Sequence, residues 1–193
     1  MTAAVLETLD RYGVPASFFE VGRHLASLRD GGKALLAAKR ARGHIVGNHA
    51  FSHRRLTELS RQEIERELAQ TDNLLRPFVT LKLVRPPFGA DDDRVRDILR
   101  DLGYIEVTWH VQAAEYEGWD RDYLAGVPGT TDRFVTYLVE KVKRKNGGIL
   151  LLHDTSPITV ATLSRIIEAL SGHGLTFVPL EHFLGDRKDR IRG

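Results

Sequence analysis

Residues 44–53 read HIVGNHAFSH, a short β-prone run that leads directly into two histidines four residues apart. A strand followed at once by polar residues is typical of α/β proteins, because reactive groups collect at the carboxyl ends of their parallel strands. Outward from this segment, strand-like runs and helical patterns alternate along the chain. The sequence therefore predicts an α/β fold with a parallel sheet.

The alternating elements can be placed by their periodicity. Val5, Leu6 and Leu9 have helical spacing and Gly13 follows as a left-handed cap, which predicts a helix over 2–12. Further helices are predicted near 23–29, 33–42, 60–76, 92–102, 131–145 and 158–172. Strands are predicted near 16–21, 44–46, 82–85, 104–111, 148–152 and 175–178. No Pro/Ser-rich linker interrupts the chain, so residues 1–193 are expected to form a single domain.

The composition excludes several functions. The chain has 28 Lys and Arg against 26 Asp and Glu, and the excess lies in a basic tail at 185–193, GDRKDRIRG. No face interleaves basic with aromatic residues, so no nucleic-acid partner is expected. The absence of cysteine leaves His, Asp and Glu as metal ligands. No apolar run approaches the roughly 20 residues of a membrane span, and no signal peptide is visible at 1–13, which leaves the cellular location open.

The histidines that follow the 44–46 strand form the first candidate site. His49 and His53 are four residues apart, and on one helical turn this spacing points both imidazoles the same way. Two metal ligands need that geometry. The same spacing also suits histidines that face solvent or cap a helix, so the pattern alone leaves both interpretations open.

A second polar segment follows the predicted strand at 82–85. Residues 85–89 read RPPFG, and the two prolines stiffen the backbone that carries Arg85. Such rigidity suits the wall of a site. A proline turn with a surface arginine explains the segment equally well.

A third segment follows the strand predicted at 148–152. His153 stands at its end, where an imidazole that titrates near neutral pH can serve in proton transfer or in a structural hydrogen bond. The longest irregular stretch, 117–130, contains Trp119. A stretch of that length is expected either to bind a ligand or to be a surface insertion.

In this order, these segments resemble the motifs of the polysaccharide deacetylases of the NodB-homology type, carbohydrate esterase family 4. Residues 16–22, ASFFEVG, are similar to the family's ATFF-x-x-G strand. Residues 47–53 match H-[ST]-x-x-H, with Ala50 in place of Ser or Thr. Residues 85–89 match R-P-P-[YF]-G, and residues 151–154 match L-x-H-D. The resemblance implies a distorted, incomplete (β/α) barrel.

The resemblance also implies roles for individual residues. His49 and His53 would bind a divalent metal, most often zinc. Arg85 would orient the catalytic base, the backbone N–H of Phe88 would stabilise the oxyanion, and His153 would protonate the leaving amine. These roles are chemically coherent, because a metal lowers the pKa of its water while an acid assists the leaving group.

The family's fourth motif, W-x-V-x-x-x-D-W, is degenerate in this chain. Trp109 matches its first position, while Glu115 replaces the acid that orients the catalytic histidine and Tyr116 replaces the last tryptophan. In the family pattern Leu151 would line the pocket for the acetyl methyl group. We expect Trp109 and Tyr116 to line the substrate pocket and Trp119 to stack on a sugar.

The family's first motif, TFDDGP, has no counterpart in the sequence. In the family it ends the first strand and supplies two aspartates, one as general base and one as third metal ligand. The chain is therefore interpreted as N-terminally truncated, with a barrel that lacks its first strand and leaves the edges of 16–21 and 175–178 unpaired. With two histidines alone, metal affinity should fall steeply.

Three functional hypotheses remain. The first is a metal-dependent hydrolase that removes N- or O-acetyl groups from an acetylated amino sugar or glycan, inactive in this chain if the acids of the first motif are absent. The second is a non-catalytic module with the deacetylase fold that binds a glycan or a partner. The third is an unstable fragment without function. Family members act on chitin oligomers, peptidoglycan and xylan, and the sequence does not choose among these substrates.

Overall fold

The protein is described by a computed structural model, which covers residues 1–113 and 118–183 and the backbone of 190–191. The helices are α1 (Thr2–Tyr12), α2 (Gly22–Ser27), α3 (Lys33–Ala41), α4 (Arg61–Leu75), α5 (Asp93–Asp101), α6 (Trp119–Leu124), α7 (Thr130–Arg144) and α8 (Pro157–Gly172). The strands are β1 (Ser17–Glu20), β2 (Ile45–Asn48), β3 (Leu83–Val84), β4 (Ile105–Val107), β5 (Val111–Gln112), β6 (Leu150–Leu151) and β7 (Arg190–Ile191). Strands and helices alternate along most of the chain, as the sequence predicts.

The described residues form two compact units, which we call the sheet unit and the helical unit. The sheet unit comprises residues 15–108, 179–183 and 190–191, and the helical unit comprises residues 1–14 with the described part of 109–178. That the whole chain is one domain stays a prediction. Among the described helices, none combines the length and the apolar character that a membrane crossing requires.

A five-stranded sheet builds the sheet unit, in the order β1-β2-β3-β4-β7. All four ladders are parallel, which confirms the predicted parallel sheet. β1 lies at one edge, and β2 is its only neighbour in the described part of the chain, with Glu20 opposite Asn48. This arrangement agrees with the unpaired edge expected at 16–21.

Helices cover the sheet and supply its core. α3 and α4 pack on β2, and α5 packs on β4. α4 begins with a capping box, in which Ser60 and Glu63 bond reciprocally to each other's backbone N–H groups. Ile64 and Leu68 of α4 are buried with Val84 of β3 in one hydrophobic cluster. The helix is thereby fixed at its start and along its apolar face.

The helical unit packs α7 and α8 against a small parallel sheet formed by β5 and β6. Phe134 and Leu138 of α7 and Ile158 of α8 are fully buried there. α1 packs on α8 through the predicted apolar face, and Gly13 ends it with φ 61° and ψ 31°. The prediction of a helix over 2–12 with a left-handed cap is confirmed.

Two strand predictions are wrong in part or whole. The run 104–111 is divided into β4 and β5, which lie in different sheets, because His110 and Val111 both donate backbone hydrogen bonds to the carbonyl of Ile149. Residues 175–178 form no strand among the described residues, since Leu175 and Phe177 pack into the hydrophobic cluster of the helical unit. The expectation of an unpaired strand edge at 175–178 therefore does not hold.

The structure also corrects two expectations for segments without predicted elements. The irregular stretch 117–130 contains α6, which packs against α7 and α8. Within the basic tail at 185–193, residues 190–191 form β7, with Arg190 opposite Glu106 of β4. Short elements of this kind arise from tertiary packing and carry little periodicity for sequence analysis to detect.

A buried ion pair ties β1 to α3. The ammonium group of Lys39 contacts the carboxylate of Glu20, and the two side chains are 2% and 12% exposed. Lys39 Nζ also lies 4.3 Å from the ring centroid of Phe18. Removal of one partner from such a pair leaves an uncompensated buried charge, which costs far more than the pair contributes.

We expect Lys39→Met to lower the free energy of unfolding by about 3 to 5 kcal/mol, because the carboxylate of Glu20 loses its counter-charge. The double variant Lys39→Met/Glu20→Leu should recover most of that loss. Urea unfolding followed by circular dichroism measures both, with Lys33→Met on the exposed side of α3 as control. Equal losses in Lys39→Met and the control would contradict the assignment.

Candidate active site

The register of the central strands brings two predicted motifs to one edge of the sheet. β2 ends at Asn48, opposite Val84 of β3, so His49 and Arg85 are the next residues on neighbouring strands. The backbone N–H of Arg85 donates to the carbonyl of Asn48 at 3.0 Å. The two motifs therefore meet at the carboxyl edge of the sheet, where α/β proteins place their reactive groups.

The imidazole of His49 is fixed by this neighbour. Its Nδ1 lies 2.5 Å from the carbonyl oxygen of Arg85. A carbonyl oxygen only accepts hydrogen bonds, so Nδ1 carries a proton, and in the neutral ring Nε2 keeps the lone pair. Metal-binding histidines are typically held in this way, with one nitrogen bonded to a carbonyl and the other directed to the metal.

His53 completes the pair that the sequence predicts. The ring centroids of His49 and His53 are 4.8 Å apart and nearly perpendicular. The two residues lie in a loop and not on one helical turn, and His53 itself has a φ of 61°. The expected proximity is therefore confirmed, although the helical geometry assumed for it is wrong.

Backbone strain is concentrated in the two motifs of the sheet unit. Four non-glycine residues of the described chain have positive φ, and three of them are Ala50 (59°), His53 (61°) and Phe88 (62°). Such conformations are unfavourable for residues with a Cβ atom and persist where the surrounding structure enforces them. The enforced geometry makes this edge of the sheet the candidate functional site.

The loop that carries the histidines is held from the strand motif 16–22. The N–H of Gly22 donates to the carbonyl of Ala50 at 3.0 Å, and the N–H of Arg23 donates to that of Phe51 at 2.9 Å. A Cβ atom at Gly22 would lie 2.4 Å from Oγ1 of Thr71 and 2.6 Å from Cδ2 of Phe51. The glycine is therefore required by close packing between α4 and the histidine loop.

Arg85 is buried under the site. Its Nε donates to the carbonyl of Val107 at 3.1 Å and its Nη2 to that of Thr108 at 3.4 Å, while the guanidinium lies 4.2 Å from the ring centroid of Phe19. Burial lowers the pKa of Arg85 to about 10, so the group stays charged at neutral pH. The alternative of a surface arginine is excluded, and its role in orienting a base stays a prediction.

Phe88 forms an exposed aromatic wall beside the histidines. Its side chain is 46% exposed, although the ring contacts His53 at a centroid distance of 4.7 Å. The guanidinium of Arg55 lies over the same ring, 4.6 Å from its centroid. The role predicted for the backbone N–H of Phe88 is a separate matter and stays a prediction.

The histidine pair can supply two of the ligands of a divalent metal ion. His49 and His53 supply neighbouring imidazoles, and the hydrogen bond at Nδ1 of His49 selects the tautomer that a metal needs. Catalytic zinc has three protein ligands as a rule. In residues 1–113 and 118–183, however, no group of three or more His, Asp or Glu side chains is close enough to hold a metal ion.

The remaining described site residues lie in the helical unit. Leu151 is the last residue of β6, opposite Gln112 of β5, and His153 follows it in a half-buried position. Asp154 accepts a hydrogen bond from the hydroxyl of Thr2 at 2.7 Å. The placement of His153 after a strand is confirmed, and its role as an acid stays a prediction.

The aromatic candidates of the helical unit differ in their surroundings. Trp109 donates from Nε1 to the side-chain oxygen of Gln112 at 3.0 Å. Trp119 begins α6 and packs against Phe134 and Tyr137 at centroid distances of 5.5 and 5.9 Å. These contacts favour a core role for Trp119 over the predicted stacking on sugar. The predictions for Glu115 and Tyr116 lie outside the described residues.

The sequence analysis missed three residues beside the histidine pair in the sheet unit. Asn48, Asp72 and Tyr104 form a partly buried network, in which the amide of Asn48 donates to Asp72 at 2.7 Å and the hydroxyl of Tyr104 donates to Asp72 at 2.7 Å. Burial and the Asp72 carboxylate raise the pKa of Tyr104. The position of Asn48 directly before His49 was the one available signal in the sequence.

Comparison with known proteins agrees with this geometry. The family model for polysaccharide deacetylase matches residues 1–107. A chitooligosaccharide deacetylase from Sinorhizobium fredii is 31% identical over 189 residues, which cover 90% of this chain and 80% of that protein. The chain therefore belongs to the polysaccharide deacetylase family.

Solved structures give the fold in more detail. A family 4 carbohydrate esterase from Streptomyces lividans superposes with a TM-score of 0.74 at 27% identity, covering 91% of this chain and 84% of that one. A family 4 pseudoenzyme from Bacillus anthracis superposes with a TM-score of 0.70 at 25% identity, covering 98% and 62%. The chain is a NodB-type domain of carbohydrate esterase family 4, and the predicted distorted, incomplete (β/α) barrel is confirmed.

The matched region is a varying part of the related proteins. The chain spans 80% of the Sinorhizobium protein but 36% of a peptidoglycan-N-acetylglucosamine deacetylase from Listeria monocytogenes, to which it is 26% identical. Activities of those longer proteins are properties of the whole chains. For this chain, such activities are proposals.

His110 of the fourth motif makes a hydrogen bond in the helical unit that only its neutral ring can accept. Its Nδ1 accepts a hydrogen bond from the backbone N–H of Ile149 at 2.9 Å. Burial, assisted by the charge of Lys145, lowers the pKa of His110 below its usual value of about 6.5. Protonation would abolish the acceptor, so the neutral ring is the form that the folded state favours.

We expect the stabilising effect of His110 to be present above pH about 6.5 and to be lost as the pH falls through its lower folded-state pKa. His110→Asn, which keeps an acceptor but does not titrate, should reduce the loss of unfolding free energy between pH 7.5 and 5. Denaturant unfolding at both pH values measures this, with the exposed His173→Asn as control. An unchanged pH dependence in His110→Asn would refute the assignment.

Proposed function

We propose that the chain is a metal-dependent hydrolase that removes N- or O-acetyl groups from an acetylated amino sugar or glycan. The observation that carries this proposal is the pair His49 and His53 beside Arg85, with Nδ1 of His49 bonded to the Arg85 carbonyl. This geometry suits imidazoles that hold a divalent cation. Membership of the deacetylase family supplies the reaction class.

The roles of individual residues follow the family pattern. His49 and His53 would hold the cation, most often zinc, which when bound supplies a more acidic water and polarises the acetyl carbonyl. The backbone N–H of Phe88 would stabilise the negative oxygen, and His153 would give a proton to the departing nitrogen or oxygen. Hydrolysis breaks the bond from the acetyl carbon to that atom, adds the water oxygen to the carbon and yields acetate.

Two roles in this reaction are not assigned to any described residue. The sequence contains no TFDDGP motif, and the described residues offer no third metal ligand near the histidines. Arg85 would orient a carboxylate base, and its contacts include the carbonyls of Val107 and Thr108 and the ring of Phe19. Glu115 would orient His153 in the same scheme.

These gaps favour a second candidate function, a non-catalytic module that binds glycan or a protein partner. The similarity to a family 4 pseudoenzyme from Bacillus anthracis shows that this fold also occurs in a protein without the reaction. The two candidates differ in one measurable respect. A hydrolase releases acetate from a bound sugar, whereas a binding module binds the sugar unchanged.

The first test is acetate release from N-acetylated chitooligosaccharides in the presence of zinc. The hydrolase proposal requires that a group outside the assigned set supplies the base, and in that case the wild-type chain releases acetate. His49→Ala should then lose both activity and bound zinc, because one of two imidazole ligands is gone. Calorimetric zinc titration measures the second effect, with the exposed His24→Ala as control. Saturable sugar binding without acetate release would favour the binding module.

The second test concerns the acid. His153→Ala is expected to lower kcat by roughly 100-fold to 10,000-fold, because general acid catalysis contributes about that much, while zinc affinity stays unchanged. The pH profile of kcat should lose its alkaline limb in this variant. A variant with the wild-type rate and pH profile would remove His153 from the reaction.

A further inference from the structure

The carboxylate of Glu67 on α4 lies against the loop between the two histidines. Its Oε2 accepts the backbone N–H groups of Phe51 at 3.0 Å and Ser52 at 2.7 Å, and its Oε1 accepts the hydroxyl of Ser52 at 2.7 Å. Three donors from two consecutive residues thus meet one side chain. No motif of the family resemblance includes this residue.

The loop needs such a partner because it has no ladder of its own. Ala50 and His53, on either side of the Glu67 contacts, both have positive φ. Buried or half-buried N–H groups without a partner cost free energy comparable to a lost hydrogen bond. Glu67 satisfies two of these donors, between two residues with positive φ.

The rest of the loop is anchored by other elements. The N–H of Ala50 donates to Oδ1 of Asn48 at 2.8 Å, and the carbonyls of Ala50 and Phe51 accept from the start of α2. Glu67 is the only charged side chain among these described anchors. Its bonds act on Phe51 and Ser52, the two residues that lead into His53.

The helix that carries Glu67 is itself rigidly placed. Leu68, the next residue, is 1% exposed in the core, and its carbonyl accepts the side-chain amide of Asn48 at 2.9 Å. Asp72, one turn further along α4, binds the same amide at 2.7 Å. The Glu67 carboxylate therefore comes from a helix that is packed into the core, and not from the loop that it binds.

We propose that Glu67 is a positioning residue, whose carboxylate fixes the 50–53 loop in the conformation that aligns His49 and His53 on a divalent cation. The inference rests on the proposed function, since it concerns the same pair of imidazoles. It gives His53 a support comparable to the Arg85 carbonyl that supports His49. Mutation of a residue that orients a metal ligand typically lowers metal affinity by about 10-fold to 100-fold.

The chemistry of the side chain makes three substitutions informative. Glu67→Gln keeps one acceptor oxygen for the two N–H groups and offers its amide to the hydroxyl of Ser52, so the loop should keep its conformation. Glu67→Asp is shorter by one methylene and cannot reach all three donors. Glu67→Ala leaves the N–H groups of Phe51 and Ser52 without this partner.

The experiment compares these variants with Glu65→Ala, which removes an acid of the same helix whose partner is Arg61. Calorimetric zinc titration of the full chain should show affinity lowered about 10-fold to 100-fold in Glu67→Ala and less than 10-fold in Glu67→Gln. Glu65→Ala should match the wild type. Rescue by glutamine separates a role in holding the loop from a requirement for the charge.

A second readout separates positioning from loss of the fold. Amide hydrogen exchange without metal should become faster at Phe51 and Ser52 in Glu67→Ala, while the amides of Val46 and Val84 in the strands keep their protection. Equal zinc affinity in Glu67→Ala and wild type, or unchanged exchange at Phe51 and Ser52, would overturn the proposal. Weakened protection throughout the sheet unit would also overturn it, because it would show a role in folding alone.

The outcomes also separate this inference from the proposed function. Lowered zinc affinity in Glu67→Ala, together with no acetate release by the wild-type chain, would support the positioning role and count against the hydrolase. A wild-type chain that binds no zinc would overturn both. Acetate release that is insensitive to Glu67→Ala would leave the hydrolase in place and remove Glu67 from its support.

Discussion

The parallel pairing of β2 with β3 is the constraint on which the histidine site depends. Because Asn48 lies opposite Val84, the next residue on each strand emerges at the same edge, and the ring of His49 reaches the carbonyl of Arg85. A shift of one residue in this register would reverse the faces of all side chains in the strand. The position of His49 beside the Arg85 carbonyl, and with it the imidazole tautomer, follows from this pairing.

The strained loop and the rigid helix behind it form a division of labour common at functional sites. Left-handed conformations at Ala50, His53 and Phe88 cost of order 1 to 3 kcal/mol each, and they are retained only when other interactions over-determine the backbone. For the loop that contains Ala50 and His53, the hydrogen bonds from α2, Asn48 and Glu67 supply that restraint. The two imidazoles are thus held together by a loop, and not by a helical turn as the spacing predicted.

Sequence analysis captured the elements with strong periodicity and the motifs at strand ends. The helices at 2–12 and 131–145 were predicted closely, because several apolar residues of each bury one face. The prediction of a strand at 175–178 was wrong, because Leu175 and Phe177 pack into a hydrophobic cluster without joining a sheet. Glu67 escaped notice for a related reason. A glutamate on an amphipathic helix resembles any solvated acid until the distant loop that it binds is known.

Gly22 shows that the strand motif at 16–22 and the histidine loop are packed directly against each other. The space where its side chain would stand is already occupied by Thr71 of α4 and Phe51 of the histidine loop. Transplanting the histidine loop from a relative would therefore succeed only if residues 22 and 71 travelled with it. Between related proteins, changes at these three places should be inherited as a set, although they are separated by almost fifty residues of chain.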